Sequence, residues 1–230
     1  MSKTTIAEIR DVWVRNTDAE AGVWLAHIDR RTQEILDIYA DGDRVPMFET
    51  GELLFSVFSY LNWLAHIHFR EERHVKEYRH DKGKDMVSFL ETTTGWDRDV
   101  CAAFWLCIRN PIMHTGRSSS FADYERKATF GAKMFADVHS NLAFDPLQFQ
   151  PDEYKPSVEE DGYFALPHPM DHKSIVISFY FPGIRRKLDT ARQIVVEGIA
   201  SADDESVLGL SRINRKTLAF RISAAKQDSP

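Results

Sequence analysis

The chain has 230 residues, 43% of them hydrophobic and 28% charged, with 29 Lys or Arg against 35 Asp or Glu for a net charge of −6. Five Trp and fifteen Phe supply enough apolar surface to offset chain entropy, which excludes a mainly disordered protein. The length fits one large globular domain, or one domain with an appendage, and the acidic balance excludes coating nucleic acid by bulk charge while leaving room for local contact with a few phosphates.

Met1 to Arg10 carries charges and no apolar core, so no secretion signal is expected. Thr4 or Thr5 can cap a helix with apolar positions Ile6, Ile9, Val12 and Trp13, and a second periodic run, Trp24, Ile28, Ile35 and Ile38, ends at Gly42. After a loop over 41–49, a long helix is expected from Thr50 to about Arg79, apolar at first and charged at its end. Its most apolar part, Leu53 to Phe69, is broken by Ser56, Ser59, Asn62, His66 and His68, as suits a buried soluble helix rather than a membrane span.

A short helix around 85–90 leads to Thr94, which with Asp97 reads as a capping box opening the next helix. There Trp96, Val100, Ala103, Phe104, Cys107 and Ile108 form a core stripe, while Ala102, Trp105, Leu106 and Met113 make the opposite side apolar too. A helix apolar on both faces needs its own core plus either another layer or a second subunit. Cys101 and Cys107 on this helix are too far apart to bridge, about 9 Å between Cα atoms, and read as buried thiols of a reducing, cytoplasmic compartment. Beyond Gly116 the expectations are a polar loop, a helix over 124–138, a Pro- and acid-rich connection over 144–162, a buried strand over 174–181, a helix from Pro182 to about Ile199, and a short strand over 217–222. Residues 181–230 hold nine Lys or Arg and six Asp or Glu, read as a solvated basic face that includes Arg185, Arg186, Lys187 and Arg192.

The segment Ile108-Arg109-Asn110-Pro111-Ile112-Met113-His114-Thr115-Gly116 gathers a cation, an amide and an imidazole at the end of the buried helix. On a straight helix Arg109 and His114 point about 140° apart. A break at Asn110-Pro111 can bring them onto one surface, with Asn110 capping a new turn and Gly116 closing it. Fixed positive charge, an amide, free backbone N–H groups and a titratable ring suit a phosphate. The same residues also fit a plain helix junction, with Arg109 on helix carbonyls and His114 in an exposed turn.

An Arg followed by a polar residue, a few intervening residues and a His, ending an apolar helix before a Gly, resembles the motif of HEPN domains, the nucleotide-binding domains of higher eukaryotes and prokaryotes. The match covers Trp96 to Arg117. The resemblance implies a mainly α fold with a HEPN-like helical bundle over residues 1–145; the strand and helix that follow have no counterpart in it and are expected to form a small C-terminal β/α extension over 146–230 packed on the same core. It implies a metal-independent endoribonuclease, with no cofactor expected, acting as a homodimer with Arg109, Asn110 and His114 catalytic in a composite cleft; the acidic net charge then leaves RNA affinity to that cleft, with Arg117 as a further expected RNA contact. A non-catalytic HEPN-like dimerisation or nucleotide-binding module is the alternative. Toxin–antitoxin pairs and antiviral defence are common settings in that family, so an antitoxin or regulatory protein joins RNA and a second copy as an expected partner.

Other clusters carry weaker signals. Arg73-His74 followed by His80 fits a longer-spaced form of the motif but lies on a charged segment, 70–84, without an apolar shell. His66, His68, Glu71, Glu72 and His74 suggest a metal site only loosely, because His66 and His68 point about 200° apart on a helix. His168 and His172 flank a turn. No Gly-rich phosphate loop, G-x-S-x-G elbow or Cys–His nucleophile pattern occurs.

Overall fold

Thr5 opens the first helix with a reciprocal cap: its Oγ1 accepts from the Glu8 backbone N–H at 3.2 Å, and Glu8 Oε2 accepts from the Thr5 N–H at 2.7 Å. The structure, a computed structural model, describes residues 5–40, 47–70, 83, 85–109, 120–123, 128–135, 161–168 and 171–210. It is mainly helical. Helix α1 (Ile6–Ala40) is one continuous element of 35 residues, where the sequence suggested two periodic runs. Thr17, Ala21, Leu25, Ile28 and Ile35 form its buried stripe, and Gly22 within it costs only about 1 kcal/mol, too little to break a helix held by packing.

Helix α2 (Met47–Phe69) starts three residues earlier than expected and ends ten residues earlier. Arg70 follows with φ +54°, a left-handed conformation that ends the helix, and its guanidinium donates to the Gly198 carbonyl at 3.2 Å. Most of α2 is buried, from Leu53 and Leu54 through Val57, Phe58, Tyr60 and Leu61 to Leu64 and Ala65. Among the described residues no helix is long and apolar enough to cross a membrane.

Helix α3 (Met86–Thr94) is capped by the fully buried Asp85, whose side chain accepts from the Ser88 N–H at 2.6 Å. Thr94 closes this helix instead of opening the next one. Its hydroxyl donates to the Leu90 carbonyl at 2.7 Å and accepts from the Trp96 N–H at 3.1 Å, while Gly95 takes the left-handed C-terminal position at φ +72°. Helix α4 (Arg98–Ala102) has Asp97 at its cap without a side-chain hydrogen bond, so the expected Thr94–Asp97 box does not form.

The sheet has four strands in the order β1-β2-β4-β3: β1 (Ser120–Asp123), β2 (Ala128–Phe135), β3 (Tyr163–His168) and β4 (Asp171–Tyr180). β2 corrects the helix expected over 124–138: it pairs in parallel with β4, placing Phe130 beside Ile175 and Met134 beside Phe179. The run ATFGAKMF alternates apolar and other residues with a strand's two-residue period, and Gly131 weakens a helical alternative. β1 and β3 pair antiparallel at the two edges, and Pro167, which has no N–H for a ladder, sits at an irregularity of the edge strand β3. The sheet thus draws two strands from before position 145 and two from after it.

Helix α5 (Phe181–Ala200) begins as expected with Pro182 in its first turn, although Phe181 belongs to it and not to the strand. It lies along α1 in the opposite sense, buries Ile184, Leu188, Ala191, Val195 and Ile199, and is followed by a short helix α6 over 204–210. The basic face is only partly solvated. Arg185 grips Asp29 of α1 with two bonds of 2.6 and 2.9 Å, Arg192 meets Asp18 at 2.8 Å, and Arg10 meets Asp204 at 3.0 Å. Half-exposed pairs of this kind contribute about 0–1 kcal/mol each, so they set the pairing of the two helices more than their stability.

Gly162, at the entrance to β3, has φ +78°, and a Cβ there meets backbone atoms of Gly183 and Ile184 at 2.9 and 3.0 Å. A Cβ on Gly95, also at positive φ, meets nothing within 4 Å. Gly162→Ala should therefore destabilise by about 3 kcal/mol or more, because backbone on both sides must shift, against about 1 kcal/mol for Gly95→Ala. Urea unfolding of the two variants checks this, and equal losses contradict it.

Candidate functional site

The helix that carries the motif changes its hydrogen-bonding pitch. α4 runs without a gap into a π-helix, Ala103–Arg109, in which bonds span five residues and the turn is wider. Such turns are rare and frequent at functional sites. Ala103, Phe104, Trp105, Cys107 and Ile108 are all buried, and Arg109, the last residue, is half-buried.

Aromatic contacts hold this segment from two directions. The Phe104 ring lies 5.1 Å from Phe58 of α2, 5.4 Å from Trp96 and 5.0 Å from Phe179 of β4. Trp96 is fixed by its indole N–H, which donates to the Asp161 carbonyl at 2.6 Å. Strands β1 and β2 pack on the π-helix as well. On the side opposite the core stripe, Ala102 and Trp105 are buried within the same chain and Leu106 is half-buried.

Of the four predicted site residues, Arg109 is the one described; Asn110, His114 and Arg117 lie outside the described residues. Arg109 Cζ stands 5.2 Å from the centroid of the Trp105 ring, within cation–π range. Trp105 is itself wedged against Phe58, edge to face, with centroids 5.5 Å apart. The chain matches no protein-family model, no curated protein and no solved structure. The arrangement of Arg109 is what the site offers: a cation on the last residue of a buried π-helix, next in sequence to the Asn-Pro step.

The competing clusters divide. Glu71, Glu72, Arg73, His74 and His80 lie outside the described residues, as does the strand expected over 217–222. His68 sits edge-on to Phe69 and Phe89 at 4.9 and 5.5 Å, and burial, followed by the nearby charge of Arg70, lowers its pKa below the ordinary imidazole value. His168 stands opposite Asp171 in the backbone register of β3 and β4. Among the described residues no three His, Cys, Asp or Glu side chains gather as a metal site needs.

One contact escaped the sequence reading. His27 of α1 lies 3.3 Å from Ser56 Oγ through Nε2 and 3.1 Å from Arg30 through Nδ1, and Ser56 Oγ donates to the Glu52 carbonyl at 3.1 Å. Arg30 is only a donor, so Nδ1 accepts and Nε2–H donates to the serine. The serine proton is committed to a carbonyl and the imidazole is turned the wrong way for a base, so the pair is a helix–helix clip and not a nucleophile. Residues 29 positions apart share no spacing rule that could have flagged it.

Cys101 and Cys107 are free and buried, in accord with the sequence. Burial, with a smaller push from Glu91, raises the Cys101 pKa above the ordinary thiol value. Two pH limits follow. The Cys101 contribution is whole below about pH 8.5, where an unfolded thiol stays protonated, and is lost as pH rises beyond it; the His68 contribution is whole above about pH 6.5 and is lost as pH falls. The urea midpoint should accordingly form a plateau between about pH 6.5 and 8.5, and His68→Phe should flatten the acidic limb alone. An acidic limb unchanged in that variant contradicts the assignment.

Proposed function

We propose that this protein is a HEPN-like, metal-independent endoribonuclease that cuts RNA at a composite site shared by two copies of the chain. The reading rests on the Arg109-Asn110…His114-Thr115-Gly116 pattern, and the observation that carries it is the place of Arg109 at the end of a buried π-helix, its guanidinium over Trp105. A cation that must meet a phosphate in one geometry benefits from a support that does not move, since preorganised charge stabilises a transition state without reorganisation. Net charge −6 is compatible with this chemistry only if RNA is held locally, as a cleft with two copies of Arg109 and Arg117 provides.

In the reaction the RNA 2′-OH attacks the adjacent phosphorus and the 5′-oxygen leaves, giving a 2′,3′-cyclic phosphate and a 5′-OH. His114 removes the 2′-OH proton or protonates the leaving oxygen, a role suited to an imidazole whose unperturbed pKa is about 6.5. Arg109 stabilises charge on the phosphoryl oxygens, and Asn110 orients the phosphate or the ring. DNA lacks the nucleophile. A role in a toxin–antitoxin pair or in defence fits such an activity, with an antitoxin or regulatory protein holding it in check.

A labelled ribo-oligonucleotide incubated with the protein in EDTA should be cut to cyclic-phosphate ends, and the matching DNA should not. His114→Ala should slow cleavage by about 10²–10⁴-fold and Arg109→Ala by about 10²–10³-fold. Cleavage that survives His114→Ala, or that stops when metal is chelated, overturns the proposal. Binding of the oligonucleotide without cleavage favours a non-catalytic HEPN-like module.

A further inference from the structure

Trp105 is 1% exposed, yet its indole Nε1–H is buried with no hydrogen-bond partner among the described residues. A buried donor left unsatisfied is costly, and a Phe in its place carries no such donor. The ring's polar edge therefore does not account for an indole here, whereas its face does: that face carries the Arg109 guanidinium 5.2 Å above its centroid. Indole is the strongest of the aromatic faces for a cation, and the attraction grows when the pair is shielded from water, as a half-buried Arg on a fully buried Trp is.

Sequence and helix pitch explain the meeting. Trp105 and Arg109 are four apart, and both lie in the π-helix, whose wider turn alters how such residues overlap. Phe58 packs edge-on against the indole at 89°, which fixes the plane of the ring from the α2 side.

We propose that Trp105 is a positioning residue for the phosphate-binding cation: its face holds the Arg109 guanidinium in the one orientation from which it meets the substrate. The proposal rests on the nuclease reading for its purpose, but the stacking itself is measurable without any cleavage.

The test uses the whole protein and two variants, Trp105→Phe and Trp105→Leu, in proton–nitrogen NMR spectra of arginine side chains, with the Arg109 Nε–Hε signal assigned by its loss in Arg109→Lys. In wild type that signal should be moved upfield by the ring current. It should keep part of the shift in Trp105→Phe and lose the ring-current part of it in Trp105→Leu. In the cleavage assay kcat should fall about tenfold in Trp105→Leu and less in Trp105→Phe, with KM little changed. An unshifted Arg109 signal in wild type, a shift that persists in Trp105→Leu, or equal loss of kcat in both variants overturns the proposal. Should Trp105→Leu fail to fold, the partial shift in Trp105→Phe decides alone, because a merely space-filling indole predicts no graded response. If wild type shows the upfield shift but cuts no RNA, the nuclease reading falls while the positioning of Arg109 by Trp105 stands.

Discussion

Phe104 is buried where the helices meet the sheet, and the packing around its ring holds the two layers together. Its ring meets Phe58 of α2, Trp96 before α4 and Phe179 of the central strand β4, so one side chain joins the helical layer to the sheet. Removing an aromatic of this kind typically costs about 3–5 kcal/mol, a large share of a domain's total stability. Because Phe104 and Trp105 are adjacent in the π-helix, the packing that secures the core also secures the segment that ends at Arg109.

That coupling gives the proposed chemistry its physical basis. Phosphoryl transfer asks little covalent work of a protein and much positioning of charge. A long Arg side chain loses considerable freedom when it is held in one rotamer, and an aromatic face that holds it before substrate arrives reduces the ordering left for the binding step. The π-helix, the edge-on Phe58 and the indole of Trp105 form a continuous chain of contacts from α2 to the guanidinium. The acidic whole and the cationic site do not conflict, since a few well-held charges act over distances shorter than the screening length of about 8–10 Å.

Short-range rules made part of this legible from sequence. The Thr5 cap, the buried stripe from Trp96 to Ile108, the β-branched core strand and the Pro182 helix start all depend on residues a few positions apart, and each forms close to where the pattern placed it. The apolar positions that mark a helix are compatible with either α or π pitch, so nothing in AFWLCIR distinguished the two. β2 was hidden because eight alternating residues inside a longer helix-like stretch are too short to decide between helix and strand until their partner β4, more than forty residues later, is known. The Asp partners of Arg185 and Arg192 lie 156 and 174 positions away on α1, which is why a paired face read as a solvated one. For the site itself, the sequence supplied the residue types, and the structure adds the support beneath Arg109.

The proposed nuclease needs two copies of the chain to bring Arg109, Asn110 and His114 around one phosphate. A crystal structure of the protein with an RNA blocked at the 2′-oxygen by methylation tests it most directly. One RNA phosphate is expected on a two-fold axis or close to it, within hydrogen-bonding reach of His114 and Arg109 from both protomers. His114 side chains on opposite outer surfaces of the assembly, with RNA bound elsewhere, would contradict it.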